Sequence, residues 1–282
     1  MNEETAILLF CLIDDFLKRL PPKRLRDPHQ QVMTDSEVMF TGILSAYWFS
    51  GNFRKGVIYA FEKRYCLKVL SESQFLRRIK SIPQDVWNCV LRILAVEAGG
   101  YQKPEYVIDS FPYAVCHNMR ILQSRIVKGP EYRGYTASKR EYFYGVKVHT
   151  IIGINGVPIS FEVTPGSVND LTAFKNMSMD ALEGGVLYAD AAYNDYSLEE
   201  ELGEQGLCLM ATRHSNSKRP WPEKIEKLIT KRRKGIETCF SRIVRSFPRK
   251  IHAITLSGLI LKLTLFFVAF NGYMAYSKQP TS

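Results

Sequence analysis

The chain has 282 residues, enough for one large domain or two modest ones, and its 46% hydrophobic and 23% charged residues are ordinary for a soluble globular protein. Its six cysteines form no CxxC pair, and none has a histidine at zinc-finger spacing. This pattern argues against a zinc finger and favours reduced thiols in a cytoplasmic protein. The acidic residues before the first apolar run argue against an export signal.

The net charge of +10 is concentrated in one segment of the chain. Residues 213–250 contain 13 Lys and Arg residues and three acids, whereas residues 160–205 contain one Lys and ten acids. Many charge runs are only solvated helix faces. The basic run KRRK at 231–234 is followed at once by apolar residues, however, and this dense segment predicts a polyanionic partner.

Helical signals fill the first hundred residues. Apolar residues recur at helical spacing over residues 4–20, and new helices are predicted to start near Thr34, Ser71 and Pro83. The stretch PPKRLRDPHQQ after the first helix is typical of a linker. Residues 1–98 are therefore predicted to form an all-helical N-terminal region, which ends at the AGGYQKPE stretch.

Beyond this boundary, strands alternate with helices, which predicts an α/β domain over residues 104–275. The strands are predicted at 106–108, 143–150, 157–164, 185–189 and 207–211, and the helices at 169–183, at 197–203 and from residue 222 onward. Asn155-Gly156 marks a hairpin between the second and third strands. The apolar stretch 254–273 approaches the length of a membrane span, but Lys262 in its middle favours a buried helix over a membrane anchor.

Two of the short apolar strands are each followed by an aspartate, Asp109 and Asp190. Such an acid is most often a turn residue. In an α/β sheet, however, the carboxyl ends of neighbouring strands converge on one edge, where ligands commonly bind. A third acid, Glu237, lies in a predicted helix within the most basic segment. Three converging acids repel one another unless cations hold them, and carboxylates suit Mg²⁺ or Mn²⁺.

A pair of such ions is a known device for phosphoryl transfer. Two ions about 4 Å apart can activate a water or a 3′-hydroxyl and stabilise the leaving oxygen of a phosphodiester. The surrounding basic residues would hold the phosphate backbone. The residues alone therefore favour metal-dependent phosphoryl transfer on nucleic acid.

Four stretches together resemble the motifs of DDE transposases of bacterial insertion sequences, within the RNase H-like group that includes retroviral integrases. YVIDSFPYAVC resembles the strand of the first Asp, and GVLYADAAYND resembles that of the second Asp. YFYGVKVHTIIGINGVPISFEVTPGSVNDLTAF resembles the hairpin and the loop that follows it, and KRRKGIETCFSRI resembles the R-x₃-E helix. The resemblance extends over residues 34–270.

This resemblance implies an RNase H-like mixed sheet with flanking helices, preceded by the helical N-terminal region. It implies that Asp109, Asp190 and Glu237 bind two Mg²⁺ or Mn²⁺ ions, and that Arg233 contacts a DNA phosphate or orients Glu237. The implied activity is DNA cleavage at transposon ends and strand transfer into target DNA. The partners would be double-stranded terminal inverted repeats and target DNA, bound by a homodimer or larger assembly in the bacterial cytoplasm, at the nucleoid. A candidate helix-turn-helix in the N-terminal region would recognise the transposon ends.

Further basic residues are candidate DNA contacts. Those in the basic segment are Lys231, Arg232, Lys234, Arg242 and Arg245. Arg213 lies near Trp221 in a loop that is equally consistent with simple solvation. Lys147 and His149 project from one face of a strand, where they would either contact DNA or lie on the sheet surface. Asp170 is expected to cap the helix that follows it.

Two other functions stay open at this point. An RNase H-like nuclease or resolvase would cut DNA without strand transfer. A catalytically inactive protein descended from a transposase would bind DNA without cutting it.

Overall fold

The computed structural model describes residues 1–21, 32–136, 140–248 and 250–277, with the backbone alone at residues 235–237. The predicted linker lies outside these ranges except for its first proline. The chain divides into two compact units, Met1–Ala98 with Arg245–Ser282 and Gly99–Val244. The first boundary coincides with the predicted one. The C-terminal helix, in contrast, joins the N-terminal unit, whereas we expected it in the α/β domain.

The N-terminal unit is helical. Its helices are α1 (Glu3–Lys18), α2 (Asp35–Phe49), α3 (Phe53–Glu62), α4 (Glu72–Ser81), α5 (Gln84–Glu97) and the last helix of the chain, α9 (Leu256–Tyr276). α2 and α4 begin with capping boxes at Thr34 and Ser71, in which the cap hydroxyl accepts a hydrogen bond from the third helical N–H. These local signals explain why the helix starts could be predicted from the sequence.

The last helix, α9, is long and apolar enough to cross a membrane. It packs against α2 and α5, and 67% of its most apolar window is buried inside the protein. This burial agrees with the prediction that the apolar stretch is a core helix rather than a membrane anchor.

The second unit is built on a mixed sheet, which has six strands in the described residues. They are β1 (Glu105–Cys116), β2 (Arg133–Thr136), β3 (Glu141–Gly153), β4 (Pro158–Pro165), β5 (Val186–Ala189) and β6 (Cys208–Ala211). β3 pairs antiparallel with β1, β2 and β4, and β5 lies parallel between β1 and β6. The order β4-β3-β1-β5-β6, with the short β2 added along β3, is the RNase H-like arrangement. The expected α/β fold class, with its helical N-terminal region, is confirmed.

The β3–β4 hairpin turns at Asn155-Gly156 as predicted, and Gly156 has a φ of +85°, which favours glycine. β1 is longer than predicted. It continues past Asp109 because it stays paired with β3 as far as Cys116. Its parallel pairing with β5, in contrast, stops at Val107, so Pro112 lies where β5 no longer pairs with β1.

Three helices flank the sheet, α6 (Asp170–Lys175), α7 (Tyr196–Glu204) and α8 (Glu223–Ser246). α6 is shorter than the predicted helix over 169–183, and a separate 3₁₀ turn follows at Asp180–Leu182. One face of the sheet forms a core with α6 and α7 through residues such as Phe174, Leu187 and Leu202. This core holds the two strands, β1 and β5, that position Asp109 and Asp190.

Candidate functional site

Asp109 and Asp190 lie level with each other on neighbouring strands. β1 and β5 run parallel with Val107 opposite Tyr188, and continuing this register by two residues places Asp190 opposite Asp109. Neighbouring strands are about 4.8 Å apart. The expected convergence of these two acids is therefore present in the sheet, although Asp109 lies within β1 rather than after its end.

Both acids lie on the face of the sheet that α8 covers. The residue before Asp109 is buried in the core of the opposite face, so Asp109 and Phe111 project toward α8. The Phe111 ring contacts Phe240 of α8, with 6.5 Å between the ring centroids. The guanidinium of Arg233, also on α8, lies 3.8 Å from the carboxylate of Asp190. The basic helix and the two acids thus form one site.

Glu237, the third predicted ligand, belongs to the same helix. Its backbone is helical, as predicted. Position 237 follows Arg233 by four residues, which is about one helical turn. The side chain of Glu237 lies outside the described part of the structure, and its role as a ligand stays a prediction.

Asp109 is a partly buried anion with incomplete compensation. Burial raises the pKa of its carboxyl to about 6. A hydrogen bond from the backbone N–H of Ser110, 2.8 Å from Oδ1, lowers this pKa. The charges of Asp190 and Asp170 raise it again, and that of Arg233 lowers it. The folded protein therefore holds this carboxylate in a state that a nearby cation would stabilise.

The carboxylates fit a hard divalent cation. Mg²⁺ is commonly held by one or two carboxylates together with water and substrate phosphate oxygens. Within the described side chains, no group of three His, Cys, Asp or Glu residues is placed to hold a metal ion. Asp109 and Asp190 would supply two ligands, and Glu237 is the predicted third. Arg233 offsets their repulsion in the metal-free protein.

A second polar network, centred on Asp170, lies on the opposite face of the sheet. Its Oδ1 accepts hydrogen bonds from Nζ of Lys147 and Oγ of Ser110, both at 3.2 Å. The same oxygen lies 3.7 Å from Nδ1 of His149. Because Ser110 directly follows Asp109, this network anchors β1 beside the candidate site.

Lys147 and His149 are held inside this network. Nε2 of His149 lies 2.9 Å from the Thr164 hydroxyl, and the residue has no exposed surface. Burial lowers the pKa of the imidazole to about 4, so it is neutral near pH 7. The structure therefore does not support a DNA contact by His149, and Lys147 is already paired with Asp170. The helix cap is also reassigned, because Asn169 rather than Asp170 caps α6.

Tyr193 was not predicted to belong to the site. Its ring is fully buried and packs edge-on against Phe174, with 5.7 Å between the ring centroids. Burial raises the pKa of the hydroxyl well above its usual value, and the charges of Asp170, Asp109 and Asp190 raise it further. The hydroxyl therefore stays protonated and uncharged near pH 7. Its position three residues after Asp190 was the only sequence signal for it.

The predicted DNA-binding residues of α8 differ in their surroundings. The exposed ones are Lys231, Lys234, Arg242 and Arg245. The first three share one side of the helix by its 3.6-residue period, and Arg245 belongs to the N-terminal unit. Arg232 instead forms an ion pair with Glu105, with 2.8 Å between Nε and Oε2.

Arg213 is also engaged within the second unit. Its guanidinium donates hydrogen bonds to both carboxylate oxygens of Glu199 and to Asn194. It lies over the rings of Tyr196 and Trp221, 5.1 and 4.5 Å from their centroids. Only 6% of the Arg213 side chain is exposed. The structure therefore does not support the predicted DNA contact.

Replacing Arg213 with Met is expected to lower the free energy of unfolding by about 3 kcal/mol, because the charge of Glu199 would stay buried without its partner. Thermal unfolding measures this change, and a second substitution, Glu199→Leu, should recover most of the loss. Below the unfolding transition, Arg213→Met should bind DNA as tightly as the unmodified chain. If Arg213→Met instead lost tenfold in DNA affinity without losing stability, Arg213 would have to contact DNA directly.

Comparisons with known proteins agree with this geometry. A sequence profile of the transposase DDE domain matches residues 100–251, more than half of the chain. No curated protein matches the sequence. Among solved structures, the cryo-EM structure of the piggyBac transposase synaptic complex with hairpin DNA is similar, with a TM-score of 0.51 and 12% sequence identity. The alignment covers 96% of this chain and 74% of that chain. At this identity the likeness concerns the fold.

Proposed function

Because this chain belongs to the transposase DDE domain family, we propose that it is an insertion-sequence transposase that cleaves DNA at transposon ends and joins them to target DNA. The observation that carries the proposal is the pair of acids, Asp109 and Asp190, level on adjacent strands beneath a basic helix. The piggyBac transposase of the similar structure holds hairpin DNA in a synaptic complex. We propose DNA as the partner here too, bound by a dimer or larger assembly.

In the proposed centre, Asp109, Asp190 and Glu237 would hold two Mg²⁺ or Mn²⁺ ions. Such ions activate the attacking oxygen and stabilise the leaving oxygen of a phosphodiester when they are bound. Arg233 lies at the edge of this centre, 3.8 Å from Asp190, where its guanidinium can pair with a DNA phosphate. Partial burial of Asp109 lowers the solvation of its carboxylate, and the Asp170 network supports the strand that carries it.

The exposed side of α8 would hold the DNA backbone. Lys231, Lys234 and Arg242 are exposed and face one direction. Phosphate contacts of this kind position DNA without reading its sequence. They lie on the side of α8 opposite Arg233 and Phe240, so DNA held by them would run along the outer face of the helix.

Removing all three of these cations, by Lys231→Ala, Lys234→Ala and Arg242→Ala together, is expected to weaken DNA binding without unfolding the protein. Each lost phosphate contact reduces the slope of log K against log salt concentration by about 0.9, so the slope should fall by about 2 to 3. Titrations at several salt concentrations measure it. Lys103→Ala is the control, because Lys103 is exposed in the same unit but lies outside α8. An unchanged slope in the triple variant would contradict the assignment.

A cleavage assay separates the proposed function from its alternatives. The substrate is a labelled duplex taken from the inverted repeats that flank the gene, incubated with the full chain and Mg²⁺ or Mn²⁺. Products joined to a target plasmid support a transposase, and free fragments alone support a nuclease. Tight binding without cleavage in either metal supports an inactive DNA-binding descendant.

A further inference from the structure

The N-terminal unit contains a cavity of about 650 Å³ that the proposed chemistry does not use. It lies between the α2–α3 turn, α4 and the start of α9. Its charged lining residues include three lysines and one acid, Lys80, Lys250, Lys262 and Glu72. A volume of this size holds a ligand larger than a single ion.

Lys262 is the unusual member of this lining. It lies in the apolar helix α9, and burial lowers the pKa of its ammonium. Its Nζ donates to the carbonyl of His252 at 2.6 Å and lies 5.2 Å from the ring centroid of Phe53. In the described part of the chain, no carboxylate forms an ion pair with it. A half-buried cation without a counter-ion favours an anionic ligand.

The backbone around the cavity favours an anion as well. Phe53 at the start of α3 and Gly258 in the first turn of α9 line it, and helix N-termini carry partial positive charge. Their cap residues are Asn52 and Thr255. The cavity is also wider than a phosphate and partly apolar, since Phe49 and Leu76 line it and Ile254 is 76% exposed beside them.

We propose that this cavity binds one nucleotide unit, with its phosphate at Lys262 and the helix ends and its base against the apolar wall. The nucleotide is either free or an unpaired residue of a DNA strand, because both present the same phosphate and base. The site does not depend on the catalytic assignment, since its lining residues all belong to the N-terminal unit.

The test measures binding by the full chain in the presence of EDTA. The probes are thymidine monophosphate, inorganic phosphate and a labelled single-stranded oligothymidylate. Lys262→Met keeps the length of the side chain and removes its charge, and it should weaken nucleotide binding about tenfold or more, the effect of losing one charge-assisted hydrogen bond. Lys68→Met is the matched control, because Lys68 is exposed and lies outside the cavity lining.

Stability separates a binding role from a structural one. Lys262→Met removes a half-buried charge, so its melting temperature should equal or exceed that of the unmodified chain. If Lys262→Met weakens binding of the monophosphate, the cavity is a site for free nucleotides. If Lys262→Met weakens binding of the oligonucleotide and the monophosphate does not bind, the cavity is a site for a nucleotide of a DNA strand. Binding that Lys262→Met leaves unchanged would overturn the proposal, as would inorganic phosphate that binds as tightly as the monophosphate. A chain inactive in the cleavage assay that still binds the monophosphate would leave this proposal standing.

Discussion

Asp109→Asn is expected to abolish DNA cleavage and at the same time make the metal-free protein more stable. Loss of a metal ligand removes several kcal/mol of transition-state stabilisation, and each 1.36 kcal/mol changes the rate tenfold. Cleavage should therefore fall about 1000-fold or more. The two effects have opposite signs because the same burial that prepares the carboxylate for a cation costs free energy when no cation is bound.

The stability effect follows from the pKa of Asp109. The ordinary value is 3.8, and burial raises it to about 6 in the folded protein. Between these pH values the unfolded chain releases a proton that the folded chain keeps, so this group lowers stability as the pH rises from about 4 to about 6. A rise of the pKa from 3.8 to about 6 corresponds to about 3 kcal/mol. Asn cannot ionise, so the variant should be more stable than the unmodified chain at pH 7 by up to this amount.

Thermal unfolding in EDTA at pH 3, 5 and 7 measures the difference between the two proteins. The two proteins must be compared at each pH because His149 also changes stability with pH. Its pKa is lowered to about 4, so it lowers the stability of both proteins as the pH falls from about 6.5 to 4. Asp180→Asn is the matched control, since Asp180 is an exposed acid of the same unit. Cleavage at the original rate by Asp109→Asn would contradict its catalytic role, and destabilisation would contradict its description as a poorly compensated anion.

The parts of the site that could be predicted from sequence are those set by local signals. The apolar runs before Asp109 and Asp190 each predict a strand that leads to an acid, whereas the register that places the two acids side by side is known only from the pairing of β1 with β5. The Asn155-Gly156 turn and the capping boxes at Thr34 and Ser71 act in the same local way. Such signals need no knowledge of the rest of the chain.

The parts that could not be predicted depend on contacts between distant segments. Alternation along β3 places Lys147 and His149 on one face, but it does not reveal that this face is covered and holds Asp170. The loop around Arg213 looks basic and accessible until Glu199 is found beside it. The end of β1 shows the same limit, because Asp109 resembles a turn residue unless the pairing with β3 is known.

Asp170 is the residue whose role changed most between sequence and structure, and we expect it to be a positioning residue for Asp109. Asp170→Ala removes both the partner of Lys147 and the acceptor for Ser110. The first loss leaves an ammonium mostly buried without a counter-ion, which should cost about 2 to 3 kcal/mol of stability. The second loss frees β1 beside Asp109. Because misplacing a catalytic group by about 1 Å can cost 100-fold, cleavage should fall by about that factor.

The conservative variant Asp170→Asn distinguishes positioning from simple stabilisation. Asn still offers an oxygen to Ser110 but no charge to Lys147, so it should be as unstable as Asp170→Ala yet recover most of the cleavage activity below its unfolding transition. The charge of Asp170 raises the pKa of Asp109, so both variants should lower that pKa below about 6, which a carboxyl titration by NMR on the metal-free protein can follow. If the two variants lose cleavage equally while both remain folded, the link through Ser110 is wrong. In that case the negative charge of Asp170, rather than its hydrogen bond to β1, is what the site requires.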